Sequence, residues 1–161
     1  MPESKVRTAI TVLLLVGMLV LCASALMNIS SYLQAMRTIR VFQIMASSPV
    51  VQSGTEGEIH LEVLVANKGS AEVSLRDLRI SLYVERFLVD SVHWGSVEPL
   101  NAGKSVTLSL TVRARAQTPS YDLLTREGYN IQEWRVRMEY VLTLPSWGYE
   151  VPRKTEQTLG G

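Results

Sequence analysis

The sequence predicts a mainly β protein, an antiparallel β-sandwich of about seven strands that follows a single transmembrane α-helix. Residues 9–27 form an apolar run without a charged side chain. From about residue 41 onward, apolar and polar residues alternate with a period of two, which is typical of strands with one buried face. We therefore expect four segments in chain order: a short N-terminal head (1–8), a transmembrane helix with an amphipathic continuation (9–40), a β-sandwich domain (41–155) and a C-terminal tail (156–161).

The composition excludes several classes of protein. Hydrophobic residues make up 47% of the chain and charged residues 19%, which is too apolar for a disordered protein. The net charge of +1 is too small to give an overall electrostatic attraction to nucleic acid. Cys22 is the single cysteine, so the chain can form neither an internal disulfide nor a cysteine-based zinc site. An apolar core must therefore hold the domain together.

The apolar run is long enough to cross a membrane. As a helix, residues 9–27 would be about 28 Å long, and the hydrocarbon core of a bilayer is roughly 30 Å thick. Beyond the run, further apolar residues recur at near-helical spacing, which indicates that the helix continues to about Arg40. These residues are Ile29, Tyr32, Leu33, Met36 and Ile39.

A cleavable signal peptide is the competing interpretation of the same segment. Residues 23–25 read Ala-Ser-Ala, the small-x-small pattern of a cleavage site, and residues 10–21 would serve as its apolar stretch. The apolar character nevertheless continues through Leu26 and Met27, which favours a retained anchor. Four small residues would then allow close helix packing in the membrane: Gly17, Ala23, Ser24 and Ala25.

Flanking charges suggest an orientation for the anchor. Lys5 and Arg7 directly precede the apolar run, whereas Arg37 and Arg40 follow at a distance. Basic residues close to a span favour the cytoplasmic side. We therefore expect a single-pass membrane protein with its C-terminal domain outside the cytoplasm.

The sandwich prediction depends on four alternating segments and on the turns between them. Since so many strands cannot bury their apolar faces in one open sheet, two sheets packed face to face are expected. The alternating segments are residues 58–65, 78–85, 105–113 and 133–144. Turn residues lie at 67–70, 101–104 and 145–148, and shorter strands are expected at 40–46, 88–94 and 148–153.

A short helix interrupts the strand pattern at residues 118–128. Ser120 is predicted to cap it, Leu123 and Leu124 to face the core, and Gly128 to end it. No other segment of the soluble part has a helical signature.

The order of these motifs resembles the type 2 late-embryogenesis-abundant proteins, also called the WHy domain. The resemblance covers most of residues 40–159 and depends on VANKG (65–69), LNAGKSVTLSLTV (100–112) and EWRVRMEYVLTLPSWGYEVP (133–152). It implies an immunoglobulin-like sandwich with a helix between its later strands, often preceded by one transmembrane helix in plant members. It further implies a non-catalytic module tied to desiccation and envelope stress.

One motif differs from the usual family pattern, and a second class of domain also fits part of the sequence. Asn67-Lys68-Gly69 stands where the family usually has Asn-Pro-Asn, although glycine serves the same turn. A bacterial adhesion-type immunoglobulin-like domain would also match residues 67–112. The predicted helix near residues 120–127 and the final tryptophan-containing hairpin favour the first family.

The sequence contains no recognisable set of catalytic residues. The sequence contains no GxSxG, HExxH, P-loop or GxGxxG pattern. His60 lies between Glu58 and Glu62 on the polar face of a strand, where the three side chains could ligate a metal in principle. A solvated strand face with paired charges is the favoured interpretation. We expect no enzyme activity, no cofactor and no metal.

Two sets of residues are candidates for partner contact. Trp147 lies in a predicted turn and is the best candidate for an exposed aromatic side chain. Arg113, Arg115, Arg135 and Arg137 lie on outward faces of two predicted strands. If these strands are neighbours, the arginines form a basic patch suited to lipid head groups or an acidic partner.

The favoured function is that of an anchored, non-enzymatic sandwich that acts by contact, as an accessory subunit of a membrane complex or an envelope-stress protein. Its expected partners are the lipid bilayer and another protein, with no nucleic acid and no small-molecule substrate. One alternative is a pilin-like filament subunit, processed near residues 7–9. A second alternative is a secreted protein, cleaved after Ala25.

Overall fold

One long helix leads directly into two antiparallel sheets that pack face to face. The computed structural model describes residues 2–52, 57–126 and 130–160. The helices are α1 (Pro2–Val41) and α2 (Pro119–Thr125), and a 3-10 turn occupies Pro145–Trp147. The strands are β1 (Phe42–Ala46), β2 (Val50–Val51), β3 (Glu58–Asn67), β4 (Val73–Val84), β5 (Phe87–Leu100), β6 (Ser105–Arg113), β7 (Glu133–Leu144) and β8 (Tyr149–Gly160).

Each sheet contains four strands. In the first sheet, β3 pairs with β6 along one edge, and both β1 and β2 pair along the other. The second sheet has the order β5-β4-β7-β8. The described residues thus form eight strands rather than about seven, and the prediction of a mainly β sandwich behind an apolar helix is confirmed.

The period-two alternation places apolar side chains in the core between the sheets. On β3 the four alternating apolar residues are at most 1% exposed: Ile59, Leu61, Val63 and Val65. On β7 every second residue from Trp134 to Leu144 is buried in the same way. A strand buries alternate side chains because successive Cβ atoms point to opposite faces of the sheet.

The C-terminal segment differs from its predicted form. Strand β8 continues to Gly160 and pairs with β7 along its whole length, from Leu144↔Tyr149 to Glu133↔Gly160. Residues 156–160 are therefore an edge strand and not the expected tail, while residue 161 lies outside the described residues. The polar composition of this segment is compatible with a strand because an edge strand remains largely exposed.

The short helix is confirmed, but its N-terminus is shifted. Thr118 is the N-cap, and its Oγ1 accepts a hydrogen bond from the backbone N–H of Tyr121 at 3.3 Å. Ser120, the predicted cap, is buried inside the first turn with its Oγ 3.0 Å from Thr118 Oγ1. Gly128, the predicted end of the helix, lies outside the described residues.

Candidate membrane-anchoring site

The first helix has an apolar surface that the rest of the protein leaves uncovered. Among the described residues, the helical segment Ile10–Val41 is long and apolar enough to cross a membrane, and none of its apolar window is buried. Leu13, for example, is 75% exposed. Length and composition are the basis of this assignment, and a signal sequence near an N-terminus meets the same criteria.

The residues predicted for helix packing lie on this uncovered part. Gly17, Ala23, Ser24 and Ala25 are all exposed along α1. A Cβ atom built at Gly17 would meet nothing within 4 Å. The surface around these small residues is therefore free to contact lipid or another helix.

The other end of α1 is packed against the sandwich. Ala35 and Thr38 are fully buried, and Ile39 is 8% exposed. Directly after the helix, the ring of Phe42 packs at a tilt against Tyr140 of β7, with 6.0 Å between ring centroids. The last turns of α1 thus contribute side chains to the core of the domain.

The loop between β3 and β4 forms the seat for this end of the helix. A Cβ atom at Gly69 would lie 2.6 Å from Cγ2 of Thr38 and 2.9 Å from its backbone Cα. Such distances are shorter than any real carbon contact, and a backbone atom cannot swing away as a side chain can. Glycine at position 69 therefore permits the close approach of loop and helix.

Asn67 holds this loop in shape. Its side chain is buried, with Nδ2 donating to the carbonyl oxygens of Ala71 at 2.7 Å and Leu100 at 2.9 Å. Its Oδ1 accepts from the backbone N–H of Gly69 at 3.0 Å. Two of these bonds pair backbone groups of the loop, and the third ties the loop to the end of β5. Asn67 therefore fixes the position of Gly69. The sequence indicated a turn here, but not that the turn supports the helix.

The four arginines predicted as a basic patch are not brought together. Arg113 lies on β6 in the first sheet, where its Nη2 is 3.1 Å from Glu58 Oε2. Arg135 and Arg137 lie on β7 in the second sheet. Arg115 is exposed in the loop after β6. The patch required β6 and β7 to be neighbours, and they belong to different sheets.

Carboxylates also neutralise the two arginines of β7. Both approach Glu156 on β8, with nitrogen–oxygen distances of 3.5 Å for Arg135 and 3.2 Å for Arg137. Arg135 additionally pairs with Glu133 at 3.2 Å. The hydrogen bond to Glu156 raises the pKa of Arg137, with a smaller contribution from Tyr83. These exposed pairs solvate the outer face of the second sheet and add little stability.

The two remaining candidates, Trp147 and His60, both contact other side chains of the domain. Trp147 is partly buried and packs against the core, whereas Tyr149 next to it is 43% exposed. The ring nitrogens of His60 lie 2.9 Å from Gln52 Oε1 and 3.0 Å from Thr111 Oγ1. Within the part of the chain that the structure describes, no group of three or more histidine, cysteine or acidic side chains is arranged to hold a metal ion.

Comparison with known proteins identifies the fold. No family model and no curated protein match the sequence. A crystal structure of a Northeast Structural Genomics Consortium target is similar, with a TM-score of 0.50 and 8% identity over 76% of this chain and 88% of that one. Because its sequence is so distant, this similarity concerns the architecture of the sandwich alone.

Weaker similarities extend to proteins from other sources. A crystal structure of a protein from Archaeoglobus fulgidus has a TM-score of 0.43 and 12% identity, covering 74% of this chain and 95% of that one. The solution structure of a protein described as late embryogenesis abundant has a TM-score of 0.43 and 16% identity, covering 86% and 83% of the two chains.

Proposed function

We propose that this protein is a membrane-anchored, non-enzymatic β-sandwich that acts by contact, either as an accessory subunit of a membrane complex or as an envelope-stress protein. One observation carries the proposal: α1 is uncovered along its apolar length but is built into the domain at its C-terminal end. A helix of this kind leaves its apolar surface in water unless lipid or another helix covers it. The sandwich would then be held at a fixed place above the bilayer.

The type of contact is proposed from the sequence resemblance. Membership of the type 2 late-embryogenesis-abundant family would make the sandwich a protective module without a catalytic centre. The charge distribution around the apolar run would place this module outside the cytoplasm. Labelling of native cells with a membrane-impermeant lysine reagent tests the orientation: Lys68 and Lys104 of the sandwich should react in intact cells.

Intact-mass spectrometry of the protein from its native membrane tests the anchor itself. The proposal expects residues 1–25 to be present and the protein to remain in the membrane fraction after a carbonate wash. A mass that starts at residue 26, with the protein released, would establish the secreted alternative. A mature chain that starts at about residue 9 or 10 would favour the pilin-like alternative, whose layout also has an uninterrupted helix running into a β domain.

A second experiment tests contact within the membrane. Replacing Gly17 and Ala25 together with leucine should weaken co-purification with membrane partners, because bulky side chains keep neighbouring helices apart. Replacing Val12 and Val20 with leucine is the matched control, since it adds volume without removing a small residue. Unchanged co-purification of the Gly17→Leu/Ala25→Leu protein would contradict the role of these small residues.

A further inference from the structure

A cleft of about 460 Å³ lies where the end of α1 meets β7 and β8. This volume falls in the range of roughly 300–1,000 Å³ that is typical of ligand pockets. The cleft combines apolar, hydroxyl and cationic side chains from four elements, α1, β1, β7 and β8. We call it the junction cleft, and its walls include Ile39, Arg40, Phe42, Tyr140, Arg153 and Thr155.

Two arginines give the junction cleft a positive charge. Arg153 lies opposite Tyr140 in the register of β7 and β8, so its side chain is on the core-facing side of the sheet. Lys154 also lines the cleft, but it lies opposite Glu139 on the outer side of the sheet, and the two form an ion pair at 3.3 Å. Arg153 and Arg40 take part in none of the ion pairs found among the described residues. Within the described part of the chain, neither arginine therefore has a carboxylate within ion-pair distance.

The floor of the junction cleft is apolar. Ile39, Phe42 and Leu142 line it and are all buried, while Met36 lines it from an exposed position. Met36 also ends a stripe of exposed apolar residues that runs up one face of α1 from the membrane segment. The stripe consists of Ile29, Tyr32, Leu33 and Met36. An apolar path therefore leads along the helix to the positively charged cleft.

The length of α1 places the junction cleft near the bilayer surface. Residues 8–36 carry no charged side chain, and as a helix they are about 43 Å long. A bilayer with its headgroups is roughly 40–45 Å thick. Arg37 thus follows at the level where the headgroups end, and Arg40 lies about one helical turn above it. Tyr32 lies in the interfacial region that tyrosine prefers.

We propose that the junction cleft binds the phosphate headgroup of an anionic membrane lipid. Arg40 and Arg153 would bind the phosphate oxygens, since a guanidinium group matches phosphate in both charge and geometry. The lipid's glycerol and upper acyl chains would contact the apolar floor and the stripe on α1. This proposal rests on the proposed function, because a membrane lipid reaches the cleft only if α1 remains in the bilayer.

Native mass spectrometry of the full chain in detergent micelles tests this directly. With phosphatidylglycerol and phosphatidylcholine added in equal amounts, the protein should retain phosphatidylglycerol preferentially. Arg40→Gln and Arg153→Gln should each lower this retention about fivefold, as expected for one basic group near an anionic surface. Arg113→Gln removes the same charge from a remote exposed strand and should leave retention unchanged. Equal retention by all four proteins would overturn the proposal.

A second measurement separates a lipid from a free anion. Phosphatidylglycerol should raise the thermal unfolding midpoint of the full chain, whereas inorganic phosphate at millimolar concentration should not. An equal rise with phosphate would overturn the assignment to lipid in favour of a soluble phosphate compound. Each spectrum also verifies the full mass of the chain, so a loss of lipid retention by the intact chain counts against the cleft alone. Loss of the anchor would instead appear as a shortened mass of the native protein.

Discussion

The contact between Gly69 and the end of α1 leads to a sharp prediction about stability. Gly69→Ala adds one methyl group at a position where Cβ would lie 2.6 Å from Cγ2 and 2.9 Å from Cα of Thr38. The ordinary separation of two carbon atoms is about 3.5–4.0 Å. The loop and the helix must therefore move apart by roughly an ångström, which disturbs the packing of Ala35 and Ile39 as well.

The expected cost is that of overpacking a well-filled core, about 1–3 kcal/mol in the free energy of unfolding. Urea denaturation of the full chain in detergent, followed by tryptophan fluorescence, measures this change. Limited proteolysis provides a second readout, because a loosened helix end should expose the chain near Arg37 and Arg40 to trypsin. Both effects should appear together if the methyl group acts by separating α1 from the sandwich.

The matched control is Gly95→Ala on strand β5. A Cβ atom at Gly95 would meet nothing within 4 Å, and alanine is preferred over glycine in a strand by about 0.5–1 kcal/mol. This control should be neutral or slightly stabilising. Thr38→Ser removes the Cγ2 atom, so it should restore part of the stability of Gly69→Ala. If Gly69→Ala proves as stable as Gly95→Ala, our account of the helix seat is refuted.

Three further substitutions test the same region. Thr38→Val should raise the free energy of unfolding by about 1 kcal/mol in urea denaturation, because Oγ1 of Thr38 is buried without a hydrogen-bond partner among the described residues; a loss of stability would contradict this. Asn67→Ala should lower it by about 3 kcal/mol, since the carbonyl oxygens of Ala71 and Leu100 and the N–H of Gly69 lose their partner, and an effect below 1 kcal/mol would show that water replaces the side chain. Burial raises the pKa of Tyr140 above its ordinary value, so its contribution to stability is complete below about pH 10 and is lost as the pH rises through the folded-state pKa. Tyr140→Phe should therefore lose less stability than the wild type between pH 9 and 11 in parallel thermal melts, and identical pH profiles would contradict the assignment.

The candidate site was predictable only in part. The helix and its continuation were recognisable because residues 28–40 keep a helical period of apolar residues. The turn at Asn67 and Gly69 was recognisable from its residue types. Nothing in the local sequence showed that Gly69 lies against Thr38, because the two residues are far apart in the chain and meet only through packing.

The basic patch illustrates the same limit for strands. Alternation correctly placed Arg113, Arg135 and Arg137 on outward faces, because the side of a strand depends on the parity of the residue alone. Whether two strands are neighbours depends on the pairing of the whole sheet. Here β6 pairs with β3 and β7 pairs with β4 and β8, so the arginines are divided between two sheets.

The sequence by itself determined the elements of this protein: an apolar helix, strands with one buried face, and turns at asparagine and glycine. These features depend on local periodicity and backbone preference, which a one-dimensional pattern contains. The tertiary structure alone decided which strands are neighbours, that residues 156–160 join a sheet, and that the end of α1 sits on the Gly69 loop beside the junction cleft. Those outcomes depend on contacts between distant residues, which form only when the two sheets and the helix pack together.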